Sequence, residues 1–325
     1  EHIRGNIPSG MIVREERFGF KPLVGEEMEI YREAKQLVTG LYCYRDLKDS
    51  ARINKAIGTL GGGNHFIELD KDDEGYVYLV IHTGSRNLGK QVADIYQAKA
   101  VRHMTAGADE FERTIRQTID EYKAAGRRSE LQSVIKKMRR EQEKAEPSLP
   151  AALCYVEGDA RLQYLHDMRL CQRWAVLNRK LISLLLLRFF PGIEVLEEFE
   201  SVHNYISDDN IIRKGSISAA KGERCIIPLN MRDGALICTG KGNPDWNCSA
   251  PHGAGRVLSR SQAYEKITME DFETSMKGIY SESVTDSTRD ESPMVYKPAA
   301  EIIANIGETV SIDTIIRPIF NFKAY

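Results

Sequence analysis

Four of the seven histidines in this sequence lie where a predicted strand gives way to a turn, each with glycine or asparagine close by. They are His65 in GGGNHF, His82 in VIHTGSR, His203 in SVHNY and His252 in APHGAGR. Strand ends of this kind are where mixed α and β proteins place many catalytic and binding groups. Imidazole is the commonest ligand for borderline divalent metals, so three of these rings would supply most of one coordination sphere. Spacing alone leaves a metal site and ordinary packing equally open.

Glycines and cations beside these histidines add a second requirement. In GTLGGGNHF, small residues would let backbone N–H groups approach an anion, although the segment matches neither common nucleotide-binding fingerprint. A tight turn explains the same glycines equally well. HTGSR, RKGS at 213–216 and HGAGR at 252–256 each join a glycine to a cation, and Arg86 could grip a phosphate with its forked guanidinium. These segments favour phosphate chemistry assisted by a metal.

Composition is that of a soluble globular protein, with 325 residues, 42% hydrophobic residues and a net charge of −2. Nucleic-acid binding would therefore depend on a local basic patch. Residues 123–144 are such a patch, because eight cations outnumber three carboxylates by five: Lys123, Arg127, Arg128, Lys136, Lys137, Arg139, Arg140 and Lys144 against Glu130, Glu141 and Glu143. The tract is either the solvated face of a helix or a surface for a phosphate backbone.

Cysteine usage and hydropathy predict the compartment. Six cysteines show no CxxC pair, and we expect reduced thiols in a cytoplasmic protein. The longest apolar run, LISLLLLRFF at 181–190, is interrupted by arginine and too short to span a bilayer. We therefore predict that it is a buried helix end and that the protein has no membrane partner.

The order of predicted elements indicates an α+β fold. Helical periodicity covers part of 24–48, HFIEL and GYVYLVIH are strand-like, and 87–188 is predicted to be helical throughout. Short strands follow Pro191, and a closing helix is predicted over about 262–281. Strand-rich segments on both sides of the helical region predict one domain over 1–325 with a helical insertion at about 91–190.

Seven blocks, in the family's order, resemble the RtcB-type RNA-splicing ligases, and the similarity extends over most of the chain apart from the basic tract. They are GTLGGGNHFIEL (58–69), VIHTGSRNLG (80–89), HNYI (203–206), RKGSISA (213–219), IIPLNM (226–231), GKGN (240–243) and HGAGRVLSR (252–260). The resemblance implies an RtcB-like α+β fold, with strands around a central cleft, a helical insertion and outer helices.

The same resemblance implies a GTP- and manganese-dependent ligase of RNA repair, splicing or tRNA processing. Such enzymes join RNA ending in a 3′-phosphate or 2′,3′-cyclic phosphate to RNA with a 5′-hydroxyl, through a covalent histidine–GMP. By this resemblance His252 is the nucleophile, and Arg86 contacts RNA phosphate. Two Mn²⁺ ions per active site are implied in the complete protein, and the matching metal ligands are His65, His82 and His203. The positions that match guanylate contacts are Asn64, Phe66, Glu68, Asn204, Pro228, Leu229, Asn230, Met231, Ala235, Gly253, Ala254, Gly255 and Lys323.

Two departures from the family pattern limit what the resemblance implies. The family carries a D-x-x-C-G motif upstream, whose cysteine bridges both metals, and no such motif occurs in 1–325. We expect the native protein to supply it before Glu1. Ala235 stands where a nucleotide-contacting serine is usual, which is typical of a divergent branch. The alternatives are a non-catalytic RNA-binding relative and an enzyme that guanylylates RNA ends without joining them.

Overall fold

The computed structural model describes residues 2–15, 19–105, 108–142 and 147–323. Glu1, and Glu143 and Lys144 of the basic tract, lie outside these residues. The chain forms two compact units. The sheet unit comprises Glu1–Lys35, Ala51–Arg86 and Trp174–Tyr325, and the helical unit comprises Gln36–Ser50 and Asn87–Arg173.

Helices and strands occur mostly in separate runs along the chain. The helices are α1 (His2–Asn6), α2 (Glu26–Thr39), α3 (Ser50–Lys55), α4 (Asn87–His103), α5 (Ala108–Ala124), α6 (Leu131–Gln142), α7 (Gly158–Leu187), α8 (Arg260–Lys266), α9 (Met269–Ser275) and α10 (Ala299–Asn305). The strands are β1 (Phe66–Lys71), β2 (Val77–His82), β3 (His203–Ile206), β4 (Ile212–Ser218), β5 (Arg224–Asn230), β6 (Gly234–Gly240), β7 (Ser249–Pro251), β8 (Tyr280–Ser281) and β9 (Val310–Lys323). The chain is therefore of the mixed α+β class, as predicted.

The larger sheet of the sheet unit has the strand order β2-β1-β9-β6-β5, with β8 added beside β9. All pairs are antiparallel except β8 with β9. The first half of β9 pairs with β6, and its second half pairs with β1. Phe66 consequently has His82 opposite it on one side and Lys323 on the other. The register therefore places His82, Phe66 and Lys323 side by side, although Lys323 is far from the other two in the sequence.

A smaller sheet, β3-β4-β7, carries the other two histidines of interest. His203 begins β3 and stands opposite Ile217 of β4, while the adjacent Ser216 stands opposite Pro251 of β7. His252 follows Pro251 directly. Because β4 pairs with both neighbours at the same level, His203 and His252 come together at one end of this sheet.

Apolar side chains under these strands form the main core of the sheet unit. Its buried members are Ile217, Ala219, Cys225, Ile227, Leu229, Leu236, Cys238, Ala250, Ile302, Ile306 and Val310. Their alternation along β5, where every second residue is buried, is the period expected of a strand with one face on a core. All six cysteines are free thiols, and five of them are buried.

A buried carboxylate organises the helical unit. Asp167 on α7 accepts hydrogen bonds from the backbone N–H groups of Tyr42 (2.8 Å) and Cys43 (3.1 Å) and from the Tyr96 hydroxyl (2.8 Å). Burial acts to raise the pKa of Asp167, but a hydrogen bond with His166 (3.1 Å), together with these three donors, outweighs it and the pKa is lowered. The carboxylate thus ties the 36–50 segment to α4 and α7.

Three element predictions need correction. The predicted closing helix over 262–281 is two short helices, because Ile267 is extended and Thr268 begins α9 with a capping box. The predicted continuous helix over 87–188 is broken, with Gly126 at φ +71° in the turn between α5 and α6. Of the segment predicted to be strand-like after Pro191, only His203–Ile206 is a strand before β4.

The apolar run at 181–190 ends a helix, as predicted. Leu181, Ile182, Leu185 and Leu186 are buried, and α7 stops at Leu187. Among the described residues, none of the helices combines the length and apolar character needed to cross a membrane. The single-domain organisation with an insertion at about 91–190 stays a prediction.

Candidate functional site

Four imidazole rings form a row in the sheet unit. Ring centroids are 6.0 Å apart between His65 and His82, 5.7 Å between His82 and His203, and 4.9 Å between His203 and His252. The first two rings come from the start of β1 and the end of β2, and the other two come from the smaller sheet. Four histidines from distant parts of the sequence are therefore gathered in one place. We call them the histidine row.

His65 is fixed by the glycine loop that precedes it. Its Nδ1 lies 2.6 Å from the carbonyl oxygen of Leu60, which also accepts a 2.7 Å hydrogen bond from the Thr83 hydroxyl. Because a carbonyl oxygen only accepts, Nδ1 must carry the proton and Nε2 keeps its lone pair. Burial lowers the pKa of His65 to about 4. The ring is therefore a neutral nitrogen donor with a fixed orientation.

The next two rings are also held neutral. Burial, followed by the neighbouring imidazoles, lowers the pKa of His82 well below its ordinary value. Burial and the adjacent His252 likewise lower the pKa of His203. Nδ1 of His203 is buried and has no hydrogen-bond partner among the residues that the structure describes. A buried polar nitrogen without a partner costs free energy, so this atom is suited to bind a ligand.

The chemistry of these rings fits a divalent metal site. A metal-binding imidazole must be neutral, and its other ring N–H often donates to a backbone carbonyl, as that of His65 does. Over the described ranges 2–15, 19–105, 108–142 and 147–323, however, no three His, Cys, Asp or Glu side chains form a ready ligand set for one ion. The assignment of His65, His82 and His203 as metal ligands therefore stays a prediction.

Gly61 allows two functional side chains to pack against the loop. It has φ +89°, and a Cβ placed there would lie 1.9 Å from Nη1 of Arg86 and 2.6 Å from Nδ1 of His65. Arg86 itself donates from Nε to the Thr59 hydroxyl and from Nη2 to the carbonyl of Gly10, both at 2.8 Å. The guanidinium braces the loop in this structure, and its predicted contact with RNA phosphate stays a prediction.

Two residues of α7 support the site, and the sequence analysis missed both. Asn178 is fully buried. Its Oδ1 accepts from the N–H groups of Gly58 (2.7 Å) and Thr59 (3.2 Å), and its Nδ2 donates to the carbonyls of Thr59 (3.1 Å) and Gly84 (3.2 Å). Arg179 donates to the carbonyl of Thr83 at 3.0 Å. The signal in the sequence is the polar pair inside the apolar stretch WAVLNRKLISLLLL.

Replacement of Asn178 by alanine is expected to cost about 3 kcal/mol of unfolding free energy, because several buried backbone groups lose their partner at once. The Asn178→Asp variant keeps the acceptor for Gly58 and Thr59 but loses the donor, so we expect an intermediate loss at pH 7. Chemical unfolding of the three proteins measures this. Equal stability of wild type and Asn178→Ala would show that the amide does not organise the glycine loops.

His252 lies in a close-fitting backbone environment. A Cβ on Gly215, which has φ +69°, would lie 3.7 Å from Cε1 of His252. A Cβ on Gly253 would lie 2.9 Å from the carbonyl oxygen of Pro228, and the N–H of Ala254 donates to that oxygen at 2.9 Å. The small residues after His252 therefore let its loop approach β5, in addition to any space they leave for a ligand.

Buried charges lie on β1 and β9 beside the histidine row. Asn321 donates to Glu68, and Nζ of Lys323 lies 2.7 Å from Oε2 of Glu291 and 5.8 Å from the Phe66 ring centroid. Burial, and then the charge of Asp70, raise the pKa of Glu68 well above its usual range. Three carboxyl groups, of Glu68, Asp70 and Glu291, and one ammonium group are thus buried in this region, which is unusual without a ligand or a functional role.

The remaining predicted guanylate contacts lie in four short segments. Asn64 is exposed on the glycine turn, and Asn204, at φ +63°, accepts from the N–H of Gly215 at 3.1 Å.

The amide of Asn230 is used inside its own turn, where its oxygen accepts from the backbone N–H of Arg232 and its nitrogen donates to the side chain of Asp233. Leu229, Met231 and Ala235 are buried, and Ala235 packs in a small core cluster with Ile237 and Ile316. Gly255 accepts from the N–H of Lys297 at 2.9 Å.

Comparison with known families identifies the domain. A family model described as tRNA-splicing ligase RtcB matches residues 25–324 of the chain. The chain belongs to the RtcB family. This match includes all four rings of the histidine row and Lys323 near its end.

Similarity to individual RtcB proteins is distant but extensive. RNA-splicing ligase RtcB of Escherichia coli K12 is 26% identical over 287 residues, which are 83% of this chain and 61% of that protein. The tRNA-splicing ligase RtcB of Aeropyrum pernix is 26% identical over 337 residues, covering 84% of this chain and 62% of that protein. For RNA-splicing ligase RtcB of Mycobacterium tuberculosis the figures are 26% over 292 residues, 76% and 59%. The chain spans about three-fifths of the length of these curated relatives.

Proposed function

We propose that this RtcB-family protein is an RNA ligase that uses GTP to join a 3′-phosphate or 2′,3′-cyclic phosphate end to a 5′-hydroxyl end. The observation that carries the proposal is the position of His252 at the end of a row of neutral imidazoles, 4.9 Å from His203 by ring centroid. Relatives with 26% identity are named RNA- or tRNA-splicing ligases, which supports RNA as the substrate.

His252 is the proposed nucleophile. One ring nitrogen forms a bond to the α-phosphorus of GTP, the bond from that phosphorus to the bridging oxygen breaks, and pyrophosphate leaves. The GMP then passes to the RNA 3′-phosphate, and the imidazole leaves. The 5′-hydroxyl of the second RNA attacks the activated phosphate and releases GMP. Gly215 lies beside the ring, where a Cβ would come within 3.7 Å of Cε1 of His252.

Metal binding is proposed for His65, His82 and His203, whose neutral rings and fixed orientations suit it. A divalent ion there, which the family resemblance implies is Mn²⁺, would neutralise negative charge on the triphosphate during transfer. The chain's own contribution is orientation: the carbonyl of Leu60 holds His65, and Arg179 holds the carbonyl of Thr83 next to His82.

Guanine recognition is proposed for Glu68 and Lys323. A guanine base offers N–H donors and a carbonyl acceptor on one edge, which complement a buried carboxylate and a buried ammonium group. Phe66 stands directly opposite Lys323 in the sheet register and two residues before Glu68 on β1, and its ring centroid lies 5.8 Å from Nζ of Lys323. Because GTP would supply donors to Glu68, its binding favours the ionised carboxylate that burial alone disfavours.

Incubation with α-labelled GTP and Mn²⁺, followed by a denaturing gel, tests the proposal. Wild-type protein should retain label and His252→Ala should lose it completely, while γ-labelled GTP should label neither protein because pyrophosphate leaves. The 325-residue chain is compared with a protein extended upstream by a segment that carries D-x-x-C-G. Absence of label from both wild-type forms would contradict guanylylation and favour a non-catalytic RNA-binding protein.

An RNA-joining assay separates ligation from the second candidate, an enzyme that only guanylylates RNA ends. Labelled protein is mixed with a 3′-phosphate RNA and a 5′-hydroxyl RNA. Formation of the joined strand supports the ligase. Accumulation of a guanylylated 3′ end with no joined strand would contradict it and support the second candidate.

A further inference from the structure

The helical unit contains a helical hairpin whose two sides differ sharply in chemistry. α5 packs against α6. The inward positions of α6 are Leu131, Val134, Ile135 and Met138, all half-buried, and they follow the i, i+3, i+4, i+7 pattern of one helix face. On α5, Ile115 is 3% exposed. The apolar sides of the two helices therefore cover each other.

The opposite side of α6 is basic. Lys136, Lys137, Arg139 and Arg140 are all exposed, and we call them the basic face. At about 100° per residue they cover roughly 160° of the helix circumference, centred opposite the apolar row. Within the part of the chain that the structure describes, these four side chains show no ion pair or hydrogen bond to another residue. Their charges are available to an outside partner.

An ordinary solvated helix face usually balances its charges within a turn, as Arg127 and Glu130 do with a 2.7 Å ion pair at the tip of the hairpin. The basic face lacks that balance. Over 123–142, seven cations and two carboxylates give a charge of +5, while the whole chain carries −2, so the remainder carries −7. This segregation concentrates positive charge on α6 and the adjoining turn and end of α5, in an otherwise acidic chain.

We propose that the basic face binds the phosphate backbone of the RNA substrate. This inference rests on the proposed function and adds a second RNA contact outside the histidine row. Arginine and lysine on one face are the usual means of holding successive phosphates, and the contact needs no base-specific geometry. The face carries no exposed apolar or aromatic residue that could form the core of a protein interface. Phosphate is therefore the better match than a folded protein partner.

Salt dependence of RNA binding tests the inference. A fluorescent 3′-phosphate RNA is titrated with wild type and with the quadruple variant K136Q/K137Q/R139Q/R140Q, at about 50 to 200 mM salt. Each lost single-strand phosphate contact reduces the slope of log affinity against log salt by about 0.7, so a decrease of about 2 to 3 is expected. Glutamine is a good helix former, so the helix should persist, and circular dichroism verifies this.

The matched control removes four exposed cations elsewhere, in the variant R32Q/K35Q/K266Q/K277Q, which has the same net charge as the first variant. It should keep the wild-type slope. Equal slopes for wild type and the basic-face variant would overturn the inference. The inference would also be overturned if the basic-face variant bound RNA normally but no longer bound polyglutamate, because that outcome would indicate an acidic protein partner.

Labelling by α-labelled GTP without RNA separates this inference from the proposed function. The basic-face variant should form the protein–GMP adduct as well as wild type does. Failure of labelling in wild type would refute the proposed function. An unchanged salt slope with normal labelling would refute only the role of the basic face.

Discussion

Gly61→Ala is expected to destabilise the protein by about 2 to 5 kcal/mol and to abolish labelling by GTP. The added methyl group would meet Nη1 of Arg86 at 1.9 Å and Nδ1 of His65 at 2.6 Å, in a backbone conformation (φ +89°) that disfavours any side chain. Backbone strain of this kind costs about 1–3 kcal/mol and overpacking costs about as much again. Arg86 cannot move away freely, because Thr59 and Gly10 hold its guanidinium.

Gly62→Ala is the matched control from the same glycine run. A Cβ at Gly62 would meet only Cα of Gly10, at 3.6 Å, which is ordinary van der Waals contact. Denaturant unfolding and GTP labelling of both variants give the comparison. If the two variants behaved alike, the packing of Arg86 and His65 against Gly61 would not be what the loop requires.

Asp70→Asn is expected to flatten the pH dependence of stability. Asp70 is fully buried, neither carboxylate oxygen has a hydrogen-bond partner within the described part of the chain, and burial raises its pKa to about 7. Its pKa in the unfolded chain is about 3.9, so the unfolded state loses this proton first as pH rises. Wild-type stability should therefore decrease between about pH 4 and pH 7, by about 4 kcal/mol from this group. The pKa of Glu68 is raised by burial and by the charge of Asp70, so Glu68 contributes to the same decrease in stability with pH.

The asparagine variant removes the titrating group, and it also relieves Glu68 of a neighbouring negative charge. Unfolding free energies of both proteins at several pH values from about 4 to 8 give the two slopes. The slope of unfolding free energy against pH is compared, and not its absolute value, because the buried amide of the variant has unpaired polar atoms at every pH. Parallel curves for wild type and Asp70→Asn would show that Asp70 is paired or solvated in the folded protein.

Asp72 provides a control of opposite sign two residues away. Burial acts to raise its pKa, but the Tyr78 hydroxyl and three backbone N–H groups donate to its carboxylate and lower the pKa overall. Its stabilising effect is present above the unfolded pKa and is lost as pH falls through the folded value. Asp72→Asn should therefore destabilise the protein at neutral pH and matter little in acid.

The histidine row shows what could be predicted from the sequence. All four histidines lie at or next to strand ends, as the local signals of neighbouring glycine or asparagine predicted, although a strand ends only at His82 and before His252, and one begins after His65 and at His203. Their proximity depends on strand register, since His82 stands opposite Phe66 and Ser216 stands opposite Pro251. Register between distant strands leaves no local signal, so only the family resemblance indicated that the four rings act together.

Other features could not be predicted from local sequence patterns alone. The sequence analysis predicts no strand over 310–323, although β9 is a 14-residue strand in the middle of the larger sheet. Pro318 within it argues against a central strand, and the structure accommodates it where the pairing with β1 shifts register. Asn178 lies in the stretch 174–187 of α7, whose other side chains are mostly apolar. Its role depends on backbone groups of two loops more than ninety residues away in the chain.

The measurement that tests the central claim most directly is the location of GMP on the protein. Wild-type protein is incubated with GTP and Mn²⁺, digested under conditions that preserve phosphoramidate bonds, and analysed by peptide mass spectrometry. We expect GMP on His252, in the peptide that contains APHGAGR, and on no other residue. GMP attached to a lysine or to another histidine of the row would contradict the assignment of His252 as the nucleophile.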